Sequence, residues 1–221
     1  PRRTAALAGL PENTRPSRWS GSAWFVTQRG APAGGPLLGG DQAGARIAYA
    51  LGSDRRVAVY ARASGALAAS GRELAFGAEW RPLDAPIRLV AEQRIGLDGA
   101  LGGPAIGIVA GIDGVKLPLD FKLEAYGQAG AVARSRIDPF ADGALRVVRE
   151  VASAGRARLE IGTGGWGAAQ RESARMDIGP TAVTTLPLGK NAVRVAIDWR
   201  QRIAGNASPG SGPALTMGTD F

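Results

Sequence analysis

From Arg18 onward, apolar and polar residues alternate in short runs separated by clusters of Gly, Pro, Asp, Asn and Ser. A period of two puts successive side chains on opposite faces of a β-strand. In order, the runs cover 18–27, 43–51, 56–64, 73–82, 87–97 and 106–115, then 121–134, 145–153, 156–164, 174–184, 192–202 and 214–221. The spacing predicts about 12 antiparallel strands in up-and-down order. One segment reads two ways: at 144–154, Leu145, Val148, Val151 and Ala152 also fit a short amphipathic helix. An even strand count favours a bulged strand there. Residues 1–17 show neither period and read as a linker or tail, which leaves the barrel to 18–221.

The two faces of the runs differ consistently. Leu74, Phe76, Ala78 and Trp80 oppose Glu73, Glu79 and Arg81; Val193, Val195, Ile197 and Trp199 oppose Arg194, Asp198, Arg200 and Arg202. A soluble barrel would turn the apolar face inward. A membrane barrel would turn it to lipid and enclose the charges. Alternation alone fits both. The connections after the first, fifth, seventh, ninth and eleventh runs read as long, and those after the second, fourth, sixth and eighth as tight, which is the loop asymmetry of an outer-membrane barrel. Aromatics fall near strand ends on the apolar face (Trp19, Phe25, Trp80, Phe121, Trp199, Phe221), as membrane-interface girdles do.

Composition narrows the chemistry. The chain has no His and no Cys, which removes imidazole bases, thiol nucleophiles, disulfides and the usual zinc sites. No enzymatic activity, metal or cofactor is expected. Lys plus Arg number 27 against 19 Asp plus Glu, and only Lys116, Lys122 and Lys190 are lysine. The basic residues are spread along the whole chain rather than clustered, so no nucleic-acid partner is expected. No apolar stretch reaches the roughly 18 residues of a membrane-spanning helix.

The polar face is instead rich in arginine with interleaved carboxylates. The arginines expected in the lumen are Arg46, Arg56, Arg62, Arg81, Arg88, Arg94, Arg134, Arg156, Arg158, Arg175, Arg194, Arg200 and Arg202; the carboxylates are Glu73, Glu79, Glu92, Glu124, Glu160, Asp177 and Asp198. Arginines outnumber carboxylates in this set. One reading is a structural network that fills the interior; the other is a positive field that favours anionic solutes or an anionic polymer.

The last run, LTMGTDF, ends on an aromatic at Phe221 and resembles the C-terminal signal of Gram-negative outer-membrane β-barrel proteins. The segments SRWSGSAWFV and LGGDQAGARIAYAL further resemble the C-terminal barrels of exopolysaccharide-export and phage-adsorption outer-membrane proteins. The resemblance implies a bacterial outer-membrane location, both termini periplasmic, contact with outer-membrane lipid and lipopolysaccharide, and recognition of the C-terminal strand by the barrel-assembly machinery. It implies a channel or export conduit. The alternative is a non-conducting barrel that serves as anchor, docking subunit or receptor among other envelope subunits.

Other motifs read plainly. GIVAGIDG, GTGGWG and GGPLLGG have no helix after them and no lysine at a phosphate-loop offset, so they read as strand kinks and loops. Asn206-Ala207-Ser208 reads as loop. Asp41, Asp138, Asp142 and Glu172 are placed in outer loops, as solvated charge or as cation ligands beside lipopolysaccharide.

Overall fold

The computed structural model describes residues 17–30, 38, 41–67, 71–99 and 101–221; nearly all of the expected tail at 1–17 lies outside them. Twelve strands follow one another: β1 (Trp19–Gln28), β2 (Gln42–Leu51), β3 (Val57–Ala66), β4 (Glu73–Trp80), β5 (Ile87–Gly96), β6 (Gly103–Lys116), β7 (Phe121–Ala133), β8 (Ile137–Ala154), β9 (Ala157–Gln170), β10 (Ser173–Leu188), β11 (Asn191–Gly205) and β12 (Gly212–Asp220). Each pairs antiparallel with its sequence neighbours, and β1 pairs with β12, so the sheet closes with no free edge. This is the up-and-down barrel expected from the alternation.

The segment with two readings is strand. β8 runs through 144–154, and its pairing with β9 shifts register between Glu150 and Ala152, which is a bulge. The extra residue breaks the strict period of two and imitates helical spacing. Elsewhere the strands outrun their sequence signals. The expected long loops at 135–144 and 165–173 are mostly strand, and the true connections are 134–136 and 171–172. At three and two residues they are within one residue of 155–156 and 189–190 on the other side, so the expected alternation of long and short connections is not present there.

Two local causes explain the extension. Pro139 lies just beyond the last β8–β9 pair, Phe140↔Gln170, where β8 has a neighbour only on its β7 side. In the GTGGWG run, a Cβ on Gly164 would collide with the indole of Trp166. The glycine is part of the strand because it makes room for a large ring.

Turn chemistry sets the short connections. Gly155 and Gly189 take the first position of their two-residue turns with φ of +60°, a backbone that glycine adopts without strain and that suits the twist of a hairpin. At the seam, the backbone of Phe221 exchanges two hydrogen bonds with Gly21, at 2.7 and 2.9 Å, and its ring covers the space where a Cβ of Gly21 would stand. The start of β1 and the end of β12 therefore share one end of the barrel, with Ser22 opposite Asp220.

Strand length is uneven. β4 has 8 residues and β8 has 18. The wall from β1 to β5 uses strands of 8 to 10 residues, while β8 to β11 use 14 to 18.

Loop pairs lock the end opposite the termini. Arg72 clasps Asp98 through Nε at 2.7 Å and Nη2 at 2.6 Å, and Leu97 N donates to Arg72 O at 2.8 Å. The hydrogen bonds from Arg72 hold the Asp98 carboxyl below its ordinary 3.8. The pair is therefore complete above that value and is lost as pH falls through the lowered one. Hydrogen exchange at the Leu97 amide should be slow and flat from pH 7 to pH 4, after correction for intrinsic rate, and should accelerate only in stronger acid. Protection that disappears at pH 5 would assign it to another group.

Candidate functional site: the lumen

Cross-strand partners share a face, so a few buried carboxylates define the inside of the barrel. Glu79, Glu92, Glu160, Asp177 and Asp198 are all buried. Their register places Arg46, Arg62, Arg88, Arg94, Arg158, Arg175, Arg194, Arg200, Arg202 and Glu124 on the same inner face. The opposite face carries Ile47, Val59, Phe76, Leu89, Ile106, Ile108, Leu145, Ile161, Ile178 and Ile197, all exposed. Among the described residues the outer face of the strands has one charged side chain, Arg149, level with Phe121 near the end that holds the termini. An apolar exterior around a charged interior is the inverse of a soluble protein. The fold is that of a transmembrane β-barrel.

The expected interface aromatics all face outward. Trp19, Trp80, Phe121 and Phe221 lie at the terminal end, where Trp19 also packs on Tyr49 with ring centroids 4.9 Å apart. Phe25 lies nearer the other end. Trp199 faces outward from the middle of β11, because that strand continues to Gly205.

Two charged walls face each other inside. On the first, β2 to β5, Arg46 Nη2 reaches Glu79 at 2.8 Å, and Arg62 Nη2 reaches Glu73 at 3.0 Å and Glu92 at 2.9 Å. Glu92 also accepts from Arg94 Nε and from the Tyr60 hydroxyl, both at 2.7 Å. Arg88 approaches Glu79 at 3.5 Å, and the Arg46 guanidinium stacks 4.2 Å from the Tyr60 ring. The contacts of Arg46 with Glu79, and of Arg62 and Tyr60 with Glu92, skip a strand, which the curvature of a closed sheet permits.

On the second wall, β8 to β11, Asp198 accepts from Thr181 Oγ1 at 2.6 Å, Arg146 Nη2 at 3.2 Å and Arg200 Nη2 at 3.3 Å. Arg175 clamps Asp177 with two donors, at 2.8 and 2.9 Å, and gives a third to the Leu38 carbonyl at 3.0 Å. Below them Val148, Val183 and Ala196 form a small apolar cluster inside the lumen.

Bridges also cross the lumen. Arg194 on β11 donates to both oxygens of Glu124 on β7 at 2.8 Å and approaches Asp113 on β6 at 4.0 Å. Lys122 spans from β7 to Glu160 on β9 at 2.9 Å. Arg94 lies 4.6 Å from the Phe140 ring on β8.

Not every expected lumen residue is on the inner wall. Arg56, Arg81, Arg134 and Arg156 sit in connections, because β3, β4, β7 and β9 begin or end one residue short of them. Arg56 pairs with Asp84, Arg134 with Asp138, and Arg156 donates to Gly189 O. Arg158 faces inward but is exposed at the mouth. Lys122 and Tyr126 share the inner face with Glu124, as the alternation of their run predicts. Sequence reasoning missed Arg146, Trp166, Tyr60 and Phe140, all inward. It also placed Asp142 in a loop. Asp142 is a lumenal residue of β8 that accepts from Gln128 Nε2 at 2.6 Å. With Glu150 and Asp220 also inward, carboxylates come close to matching the arginines, and the expected broad excess of positive charge shrinks.

The remaining acidic candidates do not gather. Asp41 accepts from Thr27 Oγ1 at 2.6 Å and Gln28 N at 3.1 Å, and Asp138 is shared by Arg134, Arg136 and Arg171. Asn206 is engaged on both sides of its amide, with Ala174 N and Glu172 O, each at 3.0 Å.

Neither a protein-family model nor a curated protein sequence matches the chain. Solved structures of similar fold include the β domain of the Bordetella autotransporter BrkA, with 14% identity, a TM-score of 0.48, and coverage of 93% of this chain and 99% of that one. A bacterial polysaccharide outer membrane secretin gives 10% identity and a TM-score of 0.47, over 92% and 97% of the two chains. The NanC porin gives 9% and 0.46, over 91% and 98%.

Proposed function

We propose that this protein sits in a bacterial outer membrane and acts as a narrow conduit for small charged solutes. The observation that carries the reading is a charged interior inside an apolar exterior. Strands of 8 to 10 residues on the β1 to β5 wall suit a tilted crossing of the hydrocarbon layer, which takes about 9–11 residues. Within the lumen, Tyr126 is 46% exposed and the Arg88 and Arg194 side chains are each 39% exposed, which supports a space between the walls that water reaches. The near balance of inward charges argues for weak overall selectivity and against a positive field throughout the lumen, one of the two readings of the sequence. In this reading the termini are periplasmic, the arginine-bearing loops at the other end meet lipopolysaccharide, and β12 is what the barrel-assembly machinery recognises.

The bridges from Arg194 to Glu124 and Asp113 favour a second reading, in which the side chains close the lumen and the barrel serves as anchor or docking subunit. Single-channel recording in a planar bilayer separates the two. The conduit should give a small, stable unitary current with weak ion preference, and Arg194→Gln should enlarge it by releasing the bridge. A barrel that inserts and is silent in both forms would support the anchor.

A further inference from the structure

Buried donors without partners are few in native structures, and each is expensive to desolvate. In this barrel they collect on one wall. Among the described residues, the buried side-chain atoms with no hydrogen-bond partner are Arg146 Nε, Trp166 Nε1, Ser173 Oγ, Arg200 Nε and Arg202 Nε. All lie on strands β8 to β11 and on the inner face. Guanidinium and indole nitrogens donate and cannot accept, so the unmet demand on this wall is for acceptor oxygens.

Geometry joins the guanidinium and indole groups into one site, while Ser173 Oγ lies apart at the start of β10, opposite Gln170. The Arg200 guanidinium lies 4.9 Å from the Trp166 ring centroid and that of Arg146 lies 5.7 Å from it. Arg146 and Arg200 share Asp198. Arg202 is cross-strand partner to Asp177, whose partner on the other side is Trp166. Arg175 already occupies both oxygens of Asp177. Among the described residues Arg146, Arg175 and Arg200 form ion pairs with Asp177 and Asp198 alone, and Arg202 forms none. The wall from β2 to β5 differs: there Glu73, Glu79 and Glu92 answer Arg46, Arg62, Arg88 and Arg94, and no buried nitrogen is left over.

We propose that the β8–β11 wall is an oxyanion-binding site, where a carboxylate, sulfate or phosphate group of an acidic solute is held between Arg146, Arg200 and Arg202 with the Trp166 indole N–H as a further donor. The inference deepens the conduit reading and rests on the same lumen. An oxyanion supplies what the site lacks, namely negative charge and several lone pairs at one point. Anion preference then belongs to one wall and not to the lumen as a whole.

Binding can be measured without current, so the two readings fail separately. The refolded full chain in detergent is titrated with sodium sulfate and, in a second arm, sodium acetate, each against sodium chloride at matched ionic strength, and followed by tryptophan fluorescence and by thermal midpoint. The expected result is a saturable response to at least one oxyanion; which arm responds separates a tetrahedral from a planar ligand. Arg202→Gln and Trp166→Phe should each weaken it about fivefold or more, the loss of one charged or one neutral donor. Trp166→Phe keeps an aromatic ring in place, so it guards against a variant that merely misfolds. Arg88→Gln on the opposite wall should leave binding unchanged. No saturable response beyond chloride in either arm overturns the site, as does an equal loss in Arg88→Gln, which would indicate general lumenal charge.

Discussion

Replacing Asp198 with alanine should destabilise the barrel by about 3–5 kcal/mol, the cost of leaving buried guanidiniums without their counter-ion. Asp198 is 1% exposed and Arg200 8%, so water cannot readily substitute for the lost carboxylate. Arg146, Arg200 and Thr181 all donate to it. Removing the acceptor strands three donors at once and leaves two like charges side by side against Trp166. Asp198→Asn should lose less, since its amide oxygen still accepts. Urea unfolding, followed by the gel mobility of heated against unheated protein, reads both. An Asp198→Ala barrel as stable as the parent would mean that the network is hydrated enough to screen itself.

The second large effect tests which way the barrel is turned. Ile108 faces outward and Val109 faces the lumen, where its cross-strand partner is Arg88. Ile108→Arg should cost about 2–4 kcal/mol in a bilayer, the penalty for a cation near the middle of the lipid face. Val109→Asp should be close to neutral, because it places a carboxylate beside an arginine. A soluble barrel reverses the order, with the outward charge harmless and the inward charge buried in a core. Refolding yield into lipid vesicles, compared for the two variants, decides. If Ile108→Arg refolds as well as the parent while Val109→Asp fails, the apolar face is not a lipid face.

Much of this fold is legible in the chain because a strand's period of two is local. Leu74, Phe76, Ala78 and Trp80 separate from Glu73 and Glu79 by counting alone, and the register keeps them apart. Strand ends are less legible, since a partner's length decides them: Arg81 reads as lumenal because Glu79 is, yet β4 stops at Trp80. Trp166 was hidden by the glycines that make room for it. Arg146 was hidden by the bulge beyond it, which blurred strand with helix. Contacts such as Glu124 with Arg194 lie outside any local pattern. They depend on how tightly a twelve-strand sheet curls, a property of the whole ring.

The uneven strands decide how the barrel meets the membrane around its rim. At about 3.3 Å per residue, β4 extends about 26 Å and β8 about 59 Å. A bilayer has one thickness around the whole circumference, so a barrel with walls of two heights cannot lie flush with it on every side. Where β1 to β5 meet the headgroups, β8 to β11 stand clear of them like the back of a chair. At the end away from the termini the β1–β2 connection bridges the two heights: Leu38 N donates to Ser208 O at 2.9 Å and Leu38 O accepts from Arg175 Nη1 at 3.0 Å, so a loop from the low wall leans on the inside of the high one.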